Sequence, residues 1–325
     1  MPRLKRVLGW LGVATLLTAP PLAAEDSSQW LERMAQAVLE QSYHGSYIYE
    51  RSGIFTTQDI WREVSVDGIH ERLLQTAGRQ QEWVRHNGQL ICATTPPLSH
   101  RRNPDRGSPQ IIDPRQLAEW YSLRTLGGTR IASRPVTVIA VQPKDGFRYA
   151  HELYIDNETG LLLKSLLVDD TRELLERFQF AAISFDKQSY TKGLEPSSSC
   201  FDVEVVDVPA DVPADVDAHF WEPAWLPPGF TLGTHEVQAL RGSDTFISSQ
   251  LYSDGLASFT LFVEPLGRDS LAEDLRAQLG PTVAVSRRLM TPDNLFLATV
   301  VGEIPARAAE RIAESLSQAV AGAAQ

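Results

Sequence analysis

Two places in the chain begin like a zinc-protease motif. His151-Glu152 and His235-Glu236 each supply the first two residues of HExxH, but no second histidine follows, so neither can grip a metal from one helix face. The seven histidines, at 44, 70, 86, 100, 151, 219 and 235, never fall two to five residues apart. No GxSxG elbow, P-loop or dinucleotide-binding glycine pattern is present. Catalysis is therefore not expected, and no cofactor or metal is implied. The remaining covalent chemistry is a pair of cysteines, Cys92 and Cys200. They lie 108 positions apart, which excludes CxxC redox chemistry and a zinc knuckle. In an exported chain with no other cysteine they are expected to form one disulfide.

The N terminus supplies the export signal. Arg3, Lys5 and Arg6 form a basic start, Val7 to Leu17 a short apolar run, and Leu22-Ala23-Ala24 a small-residue end before Glu25-Asp26. This pattern predicts a signal peptide over 1–24, cleaved after Ala24. Prolines 20 and 21 interrupt a run already short of the ~20 residues needed to span a bilayer. The whole chain has 325 residues, 43% hydrophobic and 22% charged, which is globular composition with room for two domains. A net charge of −11 without a long basic run argues against nucleic acid as a partner.

The elements that must position any site follow from periodicity. Asp26 to Gln41 reads as an amphipathic helix with Leu31, Met34, Ala35, Val38 and Leu39 on one face and a capping box from Asp26 and Gln29. Strands follow at 47–51, 54–57, 60–66, 69–75 and 81–86, then 135–144, 147–156 and 161–168. Asp67-Gly68, Asn87-Gly88 and Asp145-Gly146 are read as hairpin turns. Val136 to Val141 is apolar on both faces, so the sheet needs helical cover or an enclosed apolar space. Asp113-Pro114 starts a covering helix through Leu123. Residues 203–219 repeat Val-Pro-Ala-Asp and read as an extended acidic linker. Their aspartates lack the glycine and closing glutamate of an EF-hand. Beyond it, strands at 231–240, 246–252, 257–264, 282–289 and 295–302 predict a smaller α+β domain. Leu271, Leu275 and Leu279 are read as one helix face, and a last helix starts at Pro305.

The expected fold class is thus α+β: a large antiparallel sheet domain over 25–202 with covering helices, and a smaller sheet domain over 220–325. Binding suits it better than catalysis. Trp61, Trp83, Trp120 and Tyr121 are candidate walls for an acyl chain, and Arg101, Arg102 and Arg106 for its phosphate headgroup. Trp221, Trp225, Tyr252 and Phe259, with Arg287 and Arg288, are candidates for holding a partner chain.

The run from Trp221 to Phe230, WEPAWLPPGF, resembles the start of the small domain in the MucB/RseB family. So do LYSDGLASF at 251–259, GPTVAVS at 280–286, and, in the large domain, GSYIYER at 45–51 and LLERFQF at 174–180. The resemblance covers essentially the whole mature chain, nearer the MucB members than the RseB members, and Cys92 and Cys200 sit where MucB-like members carry their pair. It implies a large domain like LolA-type lipoprotein carriers, an open β half-barrel with helices in its concavity. It also implies a periplasmic negative regulator of an envelope-stress sigma factor. Such a protein binds the periplasmic domain of a membrane-spanning anti-sigma factor, shields it from proteolysis and lets go when lipid or lipopolysaccharide accumulates. A second copy of the chain, in a homodimer, is a further partner to consider. The competing reading is a periplasmic lipid or lipoprotein carrier.

Overall fold

The computed structural model describes residues 26–95, 114–203, 221–239, 246–267, 273–292 and 294–318. The signal segment, the loop carrying Arg101, Arg102 and Arg106, Asp113 and nearly all of the acidic linker lie outside the described residues.

Helix α1 (Ser27–Glu40) comes first and buries Trp30, Leu31, Met34 and Ala37. The stripe is rotated from the expected face toward Trp30, the largest apolar side chain on the helix, and Ala35, Val38 and Leu39 are left half-buried. Asp26 occupies the N-cap, but its carboxylate accepts from the Ser28 hydroxyl at 2.9 Å rather than from a backbone N–H, so the capping box does not form.

The large sheet is built from β1 (Tyr43–Arg51), β2 (Ile54–Ser65), β3 (Gly68–Gln75), β4 (Gln81–His86), β5 (Gln89–Ala93), β6 (Tyr121–Ile131), β7 (Arg134–Pro143), β8 (Ala150–Asp156), β9 (Leu162–Val168), β10 (Leu174–Ser184) and β11 (Phe201–Asp202). Helices α2 (Pro114–Trp120) and α3 (Lys187–Thr191) interrupt the series. The order β11-β5-β4-β3-β2-β1-β10-β9-β8-β7-β6 is antiparallel throughout, and the sheet curls so that β6 comes back near β10. It is an open half-barrel, and α1 lies across its concave face. Strand β7 is buried on both faces, from Val136 to Val141, as its sequence requires.

Three elements here differ from expectation, the first being that the runs at 54–57 and 60–66 are one strand, β2, with Gln58 and Asp59 paired to Tyr47 and Ser46. The helix read through Leu123 stops at Trp120, because Tyr121 already pairs with Pro143 and starts edge strand β6. The turn at Asp145-Gly146 is instead part of the longer connection between β7 and β8. Gly146 does not take positive φ, and the segment carries Phe147 and Arg148 away from the sheet.

The small domain comprises β12 (Trp221–Pro223), β13 (Thr231–Ala239), β14 (Phe246–Ser253), β15 (Ser258–Leu266), β16 (Leu275–Leu279), β17 (Thr282–Met290), β18 (Leu295–Gly302), α4 (Ala306–Glu314) and β19 (Leu316–Gln318). Six strands form one sheet in the order β13-β14-β15-β18-β17-β16, with α4 packed on β17 and β18. Leu275 and Leu279 belong to the edge strand β16, not to a helix. A spacing of four satisfies a strand face as well as a helix face, and Gly280 at φ 57 closes a hairpin onto β17. No helix among the described residues is long and apolar enough to cross a membrane.

Cys92 on β5 and Cys200, just before β11, form a disulfide with Cα atoms 5.5 Å apart. It fastens the last segment of the large domain to the sheet, where Phe201 and Asp202 then pair with Ala93 and Cys92.

Candidate functional site

The concave face is set by strand parity. Ile60, Leu73 and Trp83 stand directly opposite one another across β2, β3 and β4 and so share a face. Ile60 and Leu73 pack in the cluster that holds Ala37 of α1, which makes this the concave side. Arg62 is on the same side; it pairs with Glu71 and donates to the carbonyl of Val38 at the end of α1. Trp83 and Leu73 are only half-buried, so this part of the concavity is apolar and open.

Trp61 faces the other way. His44 stacks on its ring at 4.9 Å, the Arg72 guanidinium lies 4.9 Å from its centre, and Gly193 sits so close that any Cβ there would collide with the indole. Arg72 also binds buried Glu82, which accepts from Ser197. Trp61 therefore anchors the segment after α3 on the convex face and is not a wall of the concavity.

Trp120 and Tyr121 are not walls of the open concavity either; both sit at the seam between the two domains. The Tyr121 hydroxyl donates to Asp254 Oδ2 at 2.9 Å, and Arg148 Nε donates to the same oxygen at 2.5 Å. Both Arg148 and Asp254 side chains are fully buried. Arg148 also meets Asp145 and the carbonyl of Pro228, while Asp254 Oδ1 accepts from the N–H groups of Leu256 and Ala257. Burial opposes charge on Arg148, but the hydrogen bond and attraction of Asp254 outweigh it, so the guanidinium holds its proton more tightly than usual. Burial first, and then the Asp254 charge, push the Tyr121 hydroxyl upward, which keeps it a donor. Gly229, at φ 88, lies against Trp120 where a side chain would collide with the indole.

Apolar side chains cross the seam in both directions. Leu256 of the small domain packs against the core formed by Trp30, Leu31, Met34, Leu117, Tyr121 and Ile139. Phe147 of the large domain packs against the small-domain core and meets Trp225 edge-on at 4.9 Å, with Arg311 stacked 4.0 Å over Trp225. At the periphery Arg307 pairs with Asp170 at 3.0 Å and Arg51 with Glu303 at 2.7 Å. No local sequence motif marks this seam, because its partners lie more than 70 residues apart.

The other candidates for holding a partner divide by burial. Trp221, Tyr252 and Phe259 are core residues of the small domain, at 6%, 4% and 1% exposure, and cannot present a surface. Arg287 is half-exposed, 3.7 Å from Glu314 of α4, whereas Arg288 on the other face of β17 is exposed.

A further shifted group near the seam is His151. Burial pushes His151 down to about 4 from its ordinary 6.5, against the opposing pull of Asp254. The unfolded chain takes up that proton first, so stability is expected to fall as pH drops from about 6.5 toward 4. Glu82 and Asp156 act at lower pH. Despite burial, hydrogen bonds from Ser197 and Arg72 to Glu82, and from Arg134 and Thr159 to Asp156, hold both below the usual carboxylate range. Urea midpoints at pH 7 and pH 5 should show the loss, and His151→Leu should flatten it; an equal slope in the variant would remove His151 from this role.

An open half-barrel with an apolar concave face, docked through a buried polar seam to a second sheet domain, defines a two-domain binding protein. The MucB/RseB N-terminal domain model matches residues 26–199 and the MucB/RseB C-terminal domain model residues 215–317. The chain belongs to the MucB/RseB family. It is 41% identical over 305 residues to the sigma factor AlgU regulatory protein MucB of Pseudomonas aeruginosa, covering 94% of this chain and 95% of that protein. The structure of the Pseudomonas aeruginosa MucA/MucB complex matches with a TM-score of 0.77 at 41% identity, over 91% of this chain and 99% of that one. A crystal structure of MucB matches over the same shares at 39% identity with a TM-score of 0.64.

Proposed function

We propose that the chain is a periplasmic regulatory binding protein that holds the periplasmic part of a membrane-spanning anti-sigma factor, shields it from proteolysis and is released by lipid or lipopolysaccharide. The observation that carries this reading is the full-length likeness to a sigma factor regulatory protein whose structure is known together with MucA. The export signal supports the compartment. On this reading the acyl chain lies against Ile60, Leu73 and Trp83, and Arg85, on the same face of β4, stands beside it for a phosphate. The three arginines of the 96–113 loop are proposed to help there. The partner is proposed to lie on the small domain near the seam, with Arg288 available to an acidic segment.

The test uses the mature chain, residues 25–325, and the periplasmic segment of a MucA-like protein from the same genome. Bound segment should resist a site-specific protease, with cleavage slowed at least about tenfold when most of it is held, and lipopolysaccharide should restore cleavage. Lipid binding without any retention of the segment would favour the carrier reading. Neither activity would remove both.

A further inference from the structure

Helix α1 belongs to two cores at once. Its first half, through Trp30, Leu31 and Met34, packs in the cluster that Leu256 of the small domain enters. Its second half, through Ala37, packs in the cluster of Ile60 and Leu73, and its Val38 carbonyl is held by Arg62. Fourteen residues make a rod of about 21 Å. One end therefore reaches the cluster of Ile60 and Leu73 on the concave face, and the other belongs to the cluster against which Leu256 of the interdomain turn packs. Close-packed interiors pass displacement on rather than absorbing it.

We infer that α1 is a lever coupling an apolar ligand on the concave face to the turn of residues 254–257, with Leu256 as the positioning residue that follows the helix. The inference rests on the lipid-release reading above. A ligand against Ile60, Leu73 and Trp83 displaces the C-terminal end of α1. The shift of Trp30, Leu31 and Met34 then removes the seat of Leu256, and the turn that carries Asp254 moves with it. Coupling of this kind requires two arrangements of the domains.

The first measurement is the Kd of the anti-sigma segment for the full mature chain, with and without lipopolysaccharide. The parent should lose about tenfold in affinity when lipopolysaccharide is present. In Leu256→Ala that factor should fall below about threefold, with lipopolysaccharide affinity unchanged, and Leu256→Met should restore it. A Leu256→Ala protein that keeps the parent's factor overturns the lever. A second measurement needs no partner, so failure of the proposed function is separable. Spin labels on Val66→Cys and Met290→Cys, at 103% and 81% exposed positions with the native disulfide intact, report the distance between the domains. Lipopolysaccharide should shift that distance in the parent and not in Leu256→Ala. An unchanged distance in the parent overturns the lever whatever the partner does.

Discussion

Asp254→Ala should cost about 3–5 kcal/mol, the loss expected when one member of a buried ion pair is removed. Four donors lose their acceptor at once. Arg148 is fully buried and keeps only Asp145 and the Pro228 carbonyl, Tyr121 is left with a buried hydroxyl, and the Leu256 and Ala257 N–H groups lose the oxygen that shapes their turn. Two further variants separate these contributions. Asp254→Asn can keep an acceptor on the turn but withdraws the charge from Arg148. Arg148→Met removes the cation and leaves Asp254 with Tyr121 and the turn, so it should cost less. In the double variant Arg148→Met with Asp254→Ala, the losses should fall short of their sum by more than 1 kcal/mol, as residues sharing one network do. The loss should appear as uncoupling of the domains, with one unfolding transition becoming two, because the sheets themselves are untouched. Urea denaturation followed by fluorescence and by calorimetry measures both. A loss below about 1 kcal/mol, the level of a solvated surface pair, would show that water reaches the seam.

The sequence carried the local parts of this fold and little of what joins them. Asp67-Gly68 and Asn87-Gly88 announce their hairpins, since Gly68, Asn87 and Gly88 all take positive φ there. The apolar spacing of α1 identified a helix and misplaced its face by one position, an error a single large residue, Trp30, suffices to cause. Parity within β2 already separates Trp61 from Ile60 and Arg62, so its place on the convex face was legible once Ile60 is known to face α1. The seam was not legible. Asp145-Gly146 looks like a tight hairpin turn and Phe147 and Arg148 like the start of the next strand, and only Asp254, 106 residues beyond Arg148, explains why the chain departs from the sheet there. Trp120, Tyr121 and Trp225 are aromatic for reasons that lie in the other domain. Trp221, Tyr252 and Phe259 illustrate the converse: aromatic residues rich enough to suggest a binding surface are spent on the small domain's core.

Replacing both cysteines by alanine should lower the stability of the large domain by up to about 4–5 kcal/mol, the chain-entropy value for a closed loop of this length. The bridge spans 108 positions, from β5 to the start of β11, and so encloses five strands of the half-barrel, β6 to β10. Its native surroundings survive the change. Ser197 still donates to Glu82, Arg72 still reaches the Gly193 carbonyl, and Val203 still donates to the Ile91 carbonyl at 2.9 Å. The folded state is therefore expected to keep its shape, and the loss comes from the freedom returned to the unfolded chain. For a domain of this size the midpoint should fall by roughly 2–4 °C for each kcal/mol, still as one transition because the seam is intact. Unfolded, non-reduced protein should show no titratable thiol, since both cysteines are bonded. Two thiols would mean that no bridge forms in solution. A bridge whose removal costs less than about 1 kcal/mol would mean that the unfolded loop is already compact, held by the apolar strands it encloses rather than by the sulfur bond.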